Sequence, residues 1–181
     1  MRRIVLFLGA LIASASLFSQ SPASALPGDP IAKEGQLSWF SLTESPDQIK
    51  ALLGRPAMAA STGSDHLSWQ YQIGDIDHHD FSHVFLFRKT SSTLVSVTRN
   101  FEPERTVDEF FPPAGTTVHH FPNAEHPALS LRLRRLPGRR VILAIGSPAP
   151  GRATGQLVLM QEGELPVFYP WLAKQLGIKP R

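Results

Sequence analysis

His66-Leu67-Ser68-Trp69-Gln70-Tyr71-Gln72-Ile73 alternates without a break: Leu67, Trp69, Tyr71 and Ile73 point one way, and His66, Ser68, Gln70 and Gln72 the other. A period of two marks a strand with one face on a core and one in water, and antiparallel sheets are where such strands occur. The next apolar run, Phe81 to Lys89, carries Phe81, His83, Phe85 and Phe87 on one face and Val84 and Leu86 on the other, which predicts a central strand. Leu94 to Phe101 predicts a third strand, joined through the polar turn Thr90-Ser91-Ser92.

Upstream lies a short helix. Ser45 is its N-cap, Pro46 takes the first helical position, and Gln48 completes a capping box. Ile49, Leu52 and Leu53 recur at i, i+3 and i+4, Gly54 suits the C-terminal cap, and Pro56 stops continuation. Downstream, Thr106-Val107-Asp108-Glu109 is a second capping box, with Val107, Phe110 and Phe111 on one face before Pro112-Pro113. Strand-like runs return at Thr116 to Phe121, Leu129 to Arg135, Val141 to Gly146 and Gln156 to Gln161. Pro170 to Leu176 predicts a short final helix, stopped by Gly177 and docked by Trp171, Leu172 and Leu176.

These elements predict an α+β domain: a curved antiparallel β-sheet with two short helices packed on one face. The order, helix then strands and again helix then strands, also suggests a tandem pseudo-repeat, against the plainer reading of two helices that share capping chemistry. The expected core is Trp69, Tyr71, Phe85, Phe87, Leu131, Leu133, Leu143 and Ile145, joined by Ile49, Leu52 and Leu53.

The first 25 residues read as a targeting segment. Arg2 and Arg3 form a positive start, Ile4 to Phe18 is apolar, and Ala23-Ser24-Ala25 supplies the small residues of a signal peptidase site. Ser19, Gln20, Ser21 and Pro22 end the apolar run short of the ~20 residues that a spanning helix needs. Cleavage after Ala25, export by a Sec-type signal and a periplasmic or secreted location are the expectation. Residues 26–44 then form a flexible lead-in, and 45–181 a single domain.

Beyond the signal, 16 basic residues stand against 15 acidic ones, so net charge offers little reason to expect nucleic-acid binding. The charge is unevenly divided. Leu26 to Phe110 holds 12 acids and 7 bases, whereas Phe111 to Arg181 holds 3 acids and 9 bases. Such asymmetry either steers a partner or draws the two halves together. The chain has no cysteine, which excludes thiol nucleophiles, Cys-ligated zinc, iron–sulfur clusters and a lipid anchor on cysteine. It also frees an exported chain from dependence on oxidative folding.

Five arginines flank the turn Leu136-Pro137-Gly138: Arg132, Arg134, Arg135, Arg139 and Arg140. With a three-residue loop over those positions, Leu133 faces Val141, Leu131 faces Leu143 and Leu129 faces Ile145. Arg132, Arg134 and Arg140 then share one outward face, suited to phosphates or to an acidic protein surface. A solvated face is the plain alternative.

Asp75-Ile76-Asp77-His78-His79-Asp80, with His83 beyond it, is the richest cluster of ligand-type side chains. Imidazole and carboxylate at short spacing suit zinc, nickel or copper, and Asp77, His79 and His83 are the candidate ligands of a metal-dependent hydrolase. The same residue types also make an ordinary solvated hairpin loop. No H-E-x-x-H occurs, Gly146-Ser147-Pro148 is not a G-x-S-x-G elbow, and no glycine-rich phosphate loop is present. No cofactor is expected.

The helix exit Ala51-Leu52-Leu53-Gly54-Arg55-Pro56, the strand Trp69-Gln70-Tyr71 and the strand pair reaching Leu94 to Val97 make Ser45 to Phe101 resemble the small envelope-protein family of the BamE (SmpA/OmlA) type, with the β-lactamase inhibitory protein-like group beside it. The resemblance implies a helix-then-antiparallel-sheet unit and a habit of binding other proteins. It departs in one respect: BamE-type members carry an acylated cysteine after the signal. The resulting expectation is a non-catalytic periplasmic or secreted binding module that contacts an envelope protein or anionic surface, with no transmembrane span after cleavage and no nucleic-acid partner.

Overall fold

The computed structural model describes residues 32–33, 36–38, 40–76, 79–106, 119–122, 130–146 and 153–179. The targeting segment, the box at Val107 to Phe111 and Asp77 lie outside them. Two short strands come first, β1 (Ala32–Lys33) and β2 (Gln36–Leu37), followed by helix α1 (Pro46–Leu53). Then come β3 (Met58–Thr62), β4 (His66–Ile76), β5 (His79–Arg88) and β6 (Thr93–Thr106). The second half holds β7 (His119–Pro122), β8 (Ser130–Leu136), β9 (Arg140–Gly146) and β10 (Ala153–Gln161). A 3-10 turn (Glu162–Glu164) leads into the helices α2 (Leu165–Phe168) and α3 (Pro170–Gln175).

Among the described residues, one eight-stranded antiparallel sheet dominates, in the order β3-β4-β5-β6-β10-β9-β8-β7. Two four-stranded meanders thus meet through their last strands, β6 and β10. The described helices hold eight, four and six residues, so an α+β description fits only loosely and the expected fold class is corrected to a mainly antiparallel β architecture. Thr106, expected to cap a second helix, is the last residue of β6.

The helices do not share a face. Along β9, Ile142 and Ala144 join one core with Trp69, Tyr71, Phe85, Phe87 and Ile49 of α1. Val141 and Leu143 alternate with them and join a second core with Leu131, Leu133, Leu165 and Leu172. On β10, Leu157 and Leu159 belong to the first core and Val158 and Met160 to the second. Because successive side chains on a strand point to opposite faces, α1 covers one side of the sheet and α2–α3 the other. Near-continuous apolar runs such as Val141–Ala144 and Leu157–Met160 are what burial on both faces requires.

Helix α1 forms as its capping chemistry dictates. Gln48 N–H donates to Ser45 Oγ at 3.2 Å, and Ser45 N–H donates to Gln48 Oε1 at 2.7 Å. Ile49 is fully buried and Leu53 half-buried, but Leu52 keeps 45% of its surface exposed. At 100° per residue, Ile49 and Leu53 lie about 40° apart, Lys50 about 60° beyond Leu53 and Leu52 about 60° to the other side of Ile49, so the packed arc turns toward Lys50 and away from Leu52. Lys50 uses that arc to set its ammonium 4.6 Å from the Trp69 ring centre.

Strand β3 gives little sequence signal, since Met-Ala-Ala-Ser-Thr neither alternates nor favours strand. It forms because β4 presents a regular ladder from Met58↔Gln70 to Thr62↔His66. A bulge in the β5–β6 ladder, with Leu86 opposite Ser96 and Phe87 opposite Leu94, leaves Val95 as an extra residue. That offset lets Leu94 and Val97, three positions apart, enter the same core.

The packed unit begins before Ser45. Leu37, Phe40 and Leu42 are buried in the first core, so part of the expected lead-in of 26–44 is structural. Among the described residues, no helix is long and apolar enough to cross a membrane.

Candidate functional site: the arginine hairpin and two buried polar clusters

The β8–β9 hairpin places the arginines. Its loop is Pro137-Gly138-Arg139, with Leu136 opposite Arg140, Leu133 opposite Leu143 and Leu131 opposite Ile145. The register therefore lies two residues from the expected one. A shift of two keeps every side chain on its face, so Leu131 and Leu133 stay with Val141 and Leu143 as the alternation requires. Gly138 and Arg139 both adopt positive φ, 75° and 55°, which the tight loop demands. Arg139 holds that unfavourable backbone state because its carbonyl accepts a hydrogen bond from Glu162 N–H at 2.8 Å.

Arg132 and Arg134 stand opposite Ala144 and Ile142, on the side of the larger core, and Arg140 continues the same row. All three are half-buried. Their shared face is thus the outer margin of a core-bearing side of the sheet. Of the five hairpin arginines, Arg135 and Arg139 are the exposed ones. Arg135 Nε donates to Glu162 Oε1 at 2.9 Å, and Arg140 Nε donates to the Pro137 carbonyl at 2.9 Å.

Beside this turn lies a groove of about 540 Å³, walled by Leu42 and Thr43 on one side and by Gly138, Arg139, Arg140, Gln161 and Gly163 on the other. It brings together the segment after β2, the hairpin tip and the end of β10. Sequence reasoning found Arg140 but not Thr43, Gln161 or Gly163, because nothing local announces that these segments meet.

A second cluster is buried. Leu37 and Phe40 exchange backbone hydrogen bonds of 2.8 and 3.1 Å, making a tight turn in which Ser38 has φ of 56°. This aims Ser38 Oγ at His83 Nε2, 2.9 Å away, while Arg99 Nη1 donates to the same oxygen at 2.9 Å. His83 and Arg99 face each other across the β5–β6 ladder. Burial, and then the Arg99 charge, push the His83 pKa down to about 3, so its imidazole is neutral. A Ser–His contact at this distance resembles an activated nucleophile. Ser38 and His83 have no accessible surface, however, so no substrate reaches Oγ in this conformation. The cluster fastens the β2 segment to the sheet.

Of the candidate metal ligands, His83 is thus committed to Ser38 inside the core. His79 is the first residue of β5, and Asp77 lies outside the described residues. Among the described residues, no group of three or more His, Asp or Glu side chains gathers as a metal site.

The third cluster sits on the opposite face. Glu164, 2% exposed, has Oε2 3.1 Å from His66 Nε2 and accepts from Arg88 Nη2 through Oε1. His66 and Arg88 are direct partners in the β4–β5 ladder. Phe168 packs edge-on against the His66 ring at 5.1 Å. This clamp ties the start of α2 to the first meander.

Comparison with protein-family models, with curated proteins and with solved structures finds no match to this chain.

Proposed function

We propose that the protein is an exported, non-catalytic binding module that meets an envelope protein or an anionic envelope surface through the arginine-bearing end of the β8–β9 hairpin. The carrying observation is the groove beside the Pro137–Arg139 loop, with Arg139 exposed at its wall and Arg140 held there by its own turn. Guanidinium groups suit such a partner because they offer fixed forks of donors to carboxylate and phosphate oxygens. Arg132 and Arg134 extend the basic character along β8 on the side of Arg140. Two sequence features support the same reading: the secretory layout of the first 25 residues, and the resemblance of Ser45 to Phe101 to envelope domains that act by contact. Mass spectrometry of the exported form is expected to find Leu26 at the N-terminus.

The test is site-specific photo-crosslinking in the native envelope, with the probe at Thr43 or Gln161, compared with an Arg132→Glu/Arg134→Glu/Arg140→Glu variant shown to fold. Adducts that disappear in the variant support the hairpin as the contact site. Equal adducts from both place the contact elsewhere, and none from either removes the basis for a binding role.

A further inference from the structure

Residues 36–38 and 40–43 lead to Ser45 without joining the eight-stranded sheet. Among the described residues, β2 forms a ladder with β1 alone. Leu37, Phe40 and Leu42 sink into the larger core and set how deep this segment lies. Apolar burial has no preferred direction, so these three do not by themselves fix where the segment stands along the strands. Hydrogen bonds are directional, and Ser38 supplies them. Its Oγ meets His83 Nε2 on β5 and Arg99 Nη1 on β6, each at 2.9 Å.

The backbone marks the same residue. Ser38 holds φ of 56°, a left-handed state that a residue with a side chain keeps only where its surroundings over-determine it. Two backbone hydrogen bonds between Leu37 and Phe40 hold the turn, and the two side-chain bonds of Ser38 hold the turn against the sheet. Beyond it, Ser41 Oγ accepts from Thr43 N–H at 3.2 Å and lies 2.6 Å from Thr43 Oγ1. With Leu42, Thr43 forms one wall of the 540 Å³ groove. The facing wall, with Arg139, Arg140 and Gln161, belongs to the hairpin and the end of β10.

We propose that Ser38 is the positioning residue of this groove: its bonds to β5 and β6 hold the Leu42–Thr43 wall in place opposite Arg139 and Arg140, and the partner selects the molecules in which they hold. Ser38 has no accessible surface, so it acts through Thr43 and touches no partner itself. The binding step rests on the hairpin as contact site, whereas the placement of the wall stands without it. A protein whose wall is in place for only part of the time binds with its affinity reduced by that fraction.

The chain has no cysteine, so nitroxide labels at Thr43→Cys and Pro137→Cys, both exposed positions, report the width of the groove in the purified protein. The otherwise wild-type protein is expected to give one narrow distance distribution and Ser38→Gly a broad one. Glycine accepts φ of 56° without strain, so this variant removes the hydroxyl and spares the turn. Leu172→Ala opens space in the opposite core and controls for general loosening; its distribution is expected to stay narrow. In the native envelope, photo-crosslinking from Gln161 is expected to fall about tenfold in Ser38→Gly and in the nearly isosteric Ser38→Cys, whose thiol is a weak hydrogen-bonding group, but not in Leu172→Ala. An unchanged distribution in Ser38→Gly overturns the positioning role, and so does equal broadening in Leu172→Ala. A broad distribution with undiminished adducts overturns the link to binding. Absence of adducts from the wild type overturns that link together with the binding role, and the distance comparison then decides the role of Ser38 by itself.

Discussion

Ser38 Oγ lies 2.9 Å from His83 Nε2 although 45 positions of chain separate the two residues. Arg99 closes the group from the next strand, and Phe40 covers it edge-on, 5.9 Å from the His83 ring and 4.7 Å from the Phe85 ring. A polar knot of this kind costs desolvation, and mutual hydrogen bonding offsets that cost. It locks the β2 segment over β6 and β10, where apolar contact alone would set position less sharply.

The His83 pKa makes this knot sensitive to acid. In the unfolded chain an imidazole titrates near 6.5, whereas in the fold burial and Arg99 hold it down to about 3. The unfolded state therefore binds the extra proton between those values. Stability from this residue is complete above about pH 6.5 and falls as pH drops toward 3, by at most about 1.4 kcal/mol per pH unit. Denaturant unfolding of wild type and His83→Gln across that range checks it. A wild-type profile no steeper than that of the variant would remove His83 as the cause.

Trp69→Ala is expected to cost about 3–5 kcal/mol. The indole is 7% exposed, packs 4.7 Å from the Phe87 ring centre and carries Lys50 on its face. Urea denaturation measures the loss, and a change under about 1 kcal/mol would contradict its place in the core.

Glu164→Gln removes the charge that joins His66 and Arg88. The expected loss is about 1–3 kcal/mol, since a buried partner then keeps a poorer acceptor. Hydrogen exchange should show α2–α3 opening more often while the amides of β5 stay protected. Uniform loss of protection would mean that the clamp supports the whole sheet and not the helices alone.

Arg139→Gly separates folding from binding. Its φ of 55° suits glycine, so the variant is expected to be as stable as wild type or up to about 1 kcal/mol more stable. The same change removes the exposed guanidinium at the groove, and crosslinking from Thr43 should weaken. Undiminished crosslinking in a stable Arg139→Gly protein would show that this side chain is not a contact.

Local chemistry in the sequence determined several elements. The Ser45–Gln48 box made α1, strict alternation made β4, and the Leu/Arg alternation of β8 survived a two-residue register shift without changing faces. These features depend on bonds within four residues or on the two-residue strand period, and both are written in adjacent letters. Tertiary structure alone decided the rest. It inserted β10 between β6 and β9, divided the apolar residues into two cores, and left Leu52 exposed on its helix. It also carried Ser38 to His83 and Glu164 to His66. The reason is that a strand buried on both faces shows the same apolar letters whichever layer covers each side. Which segment covers it depends on the packing and polar pairing of the whole chain, set against the entropy of closing long loops.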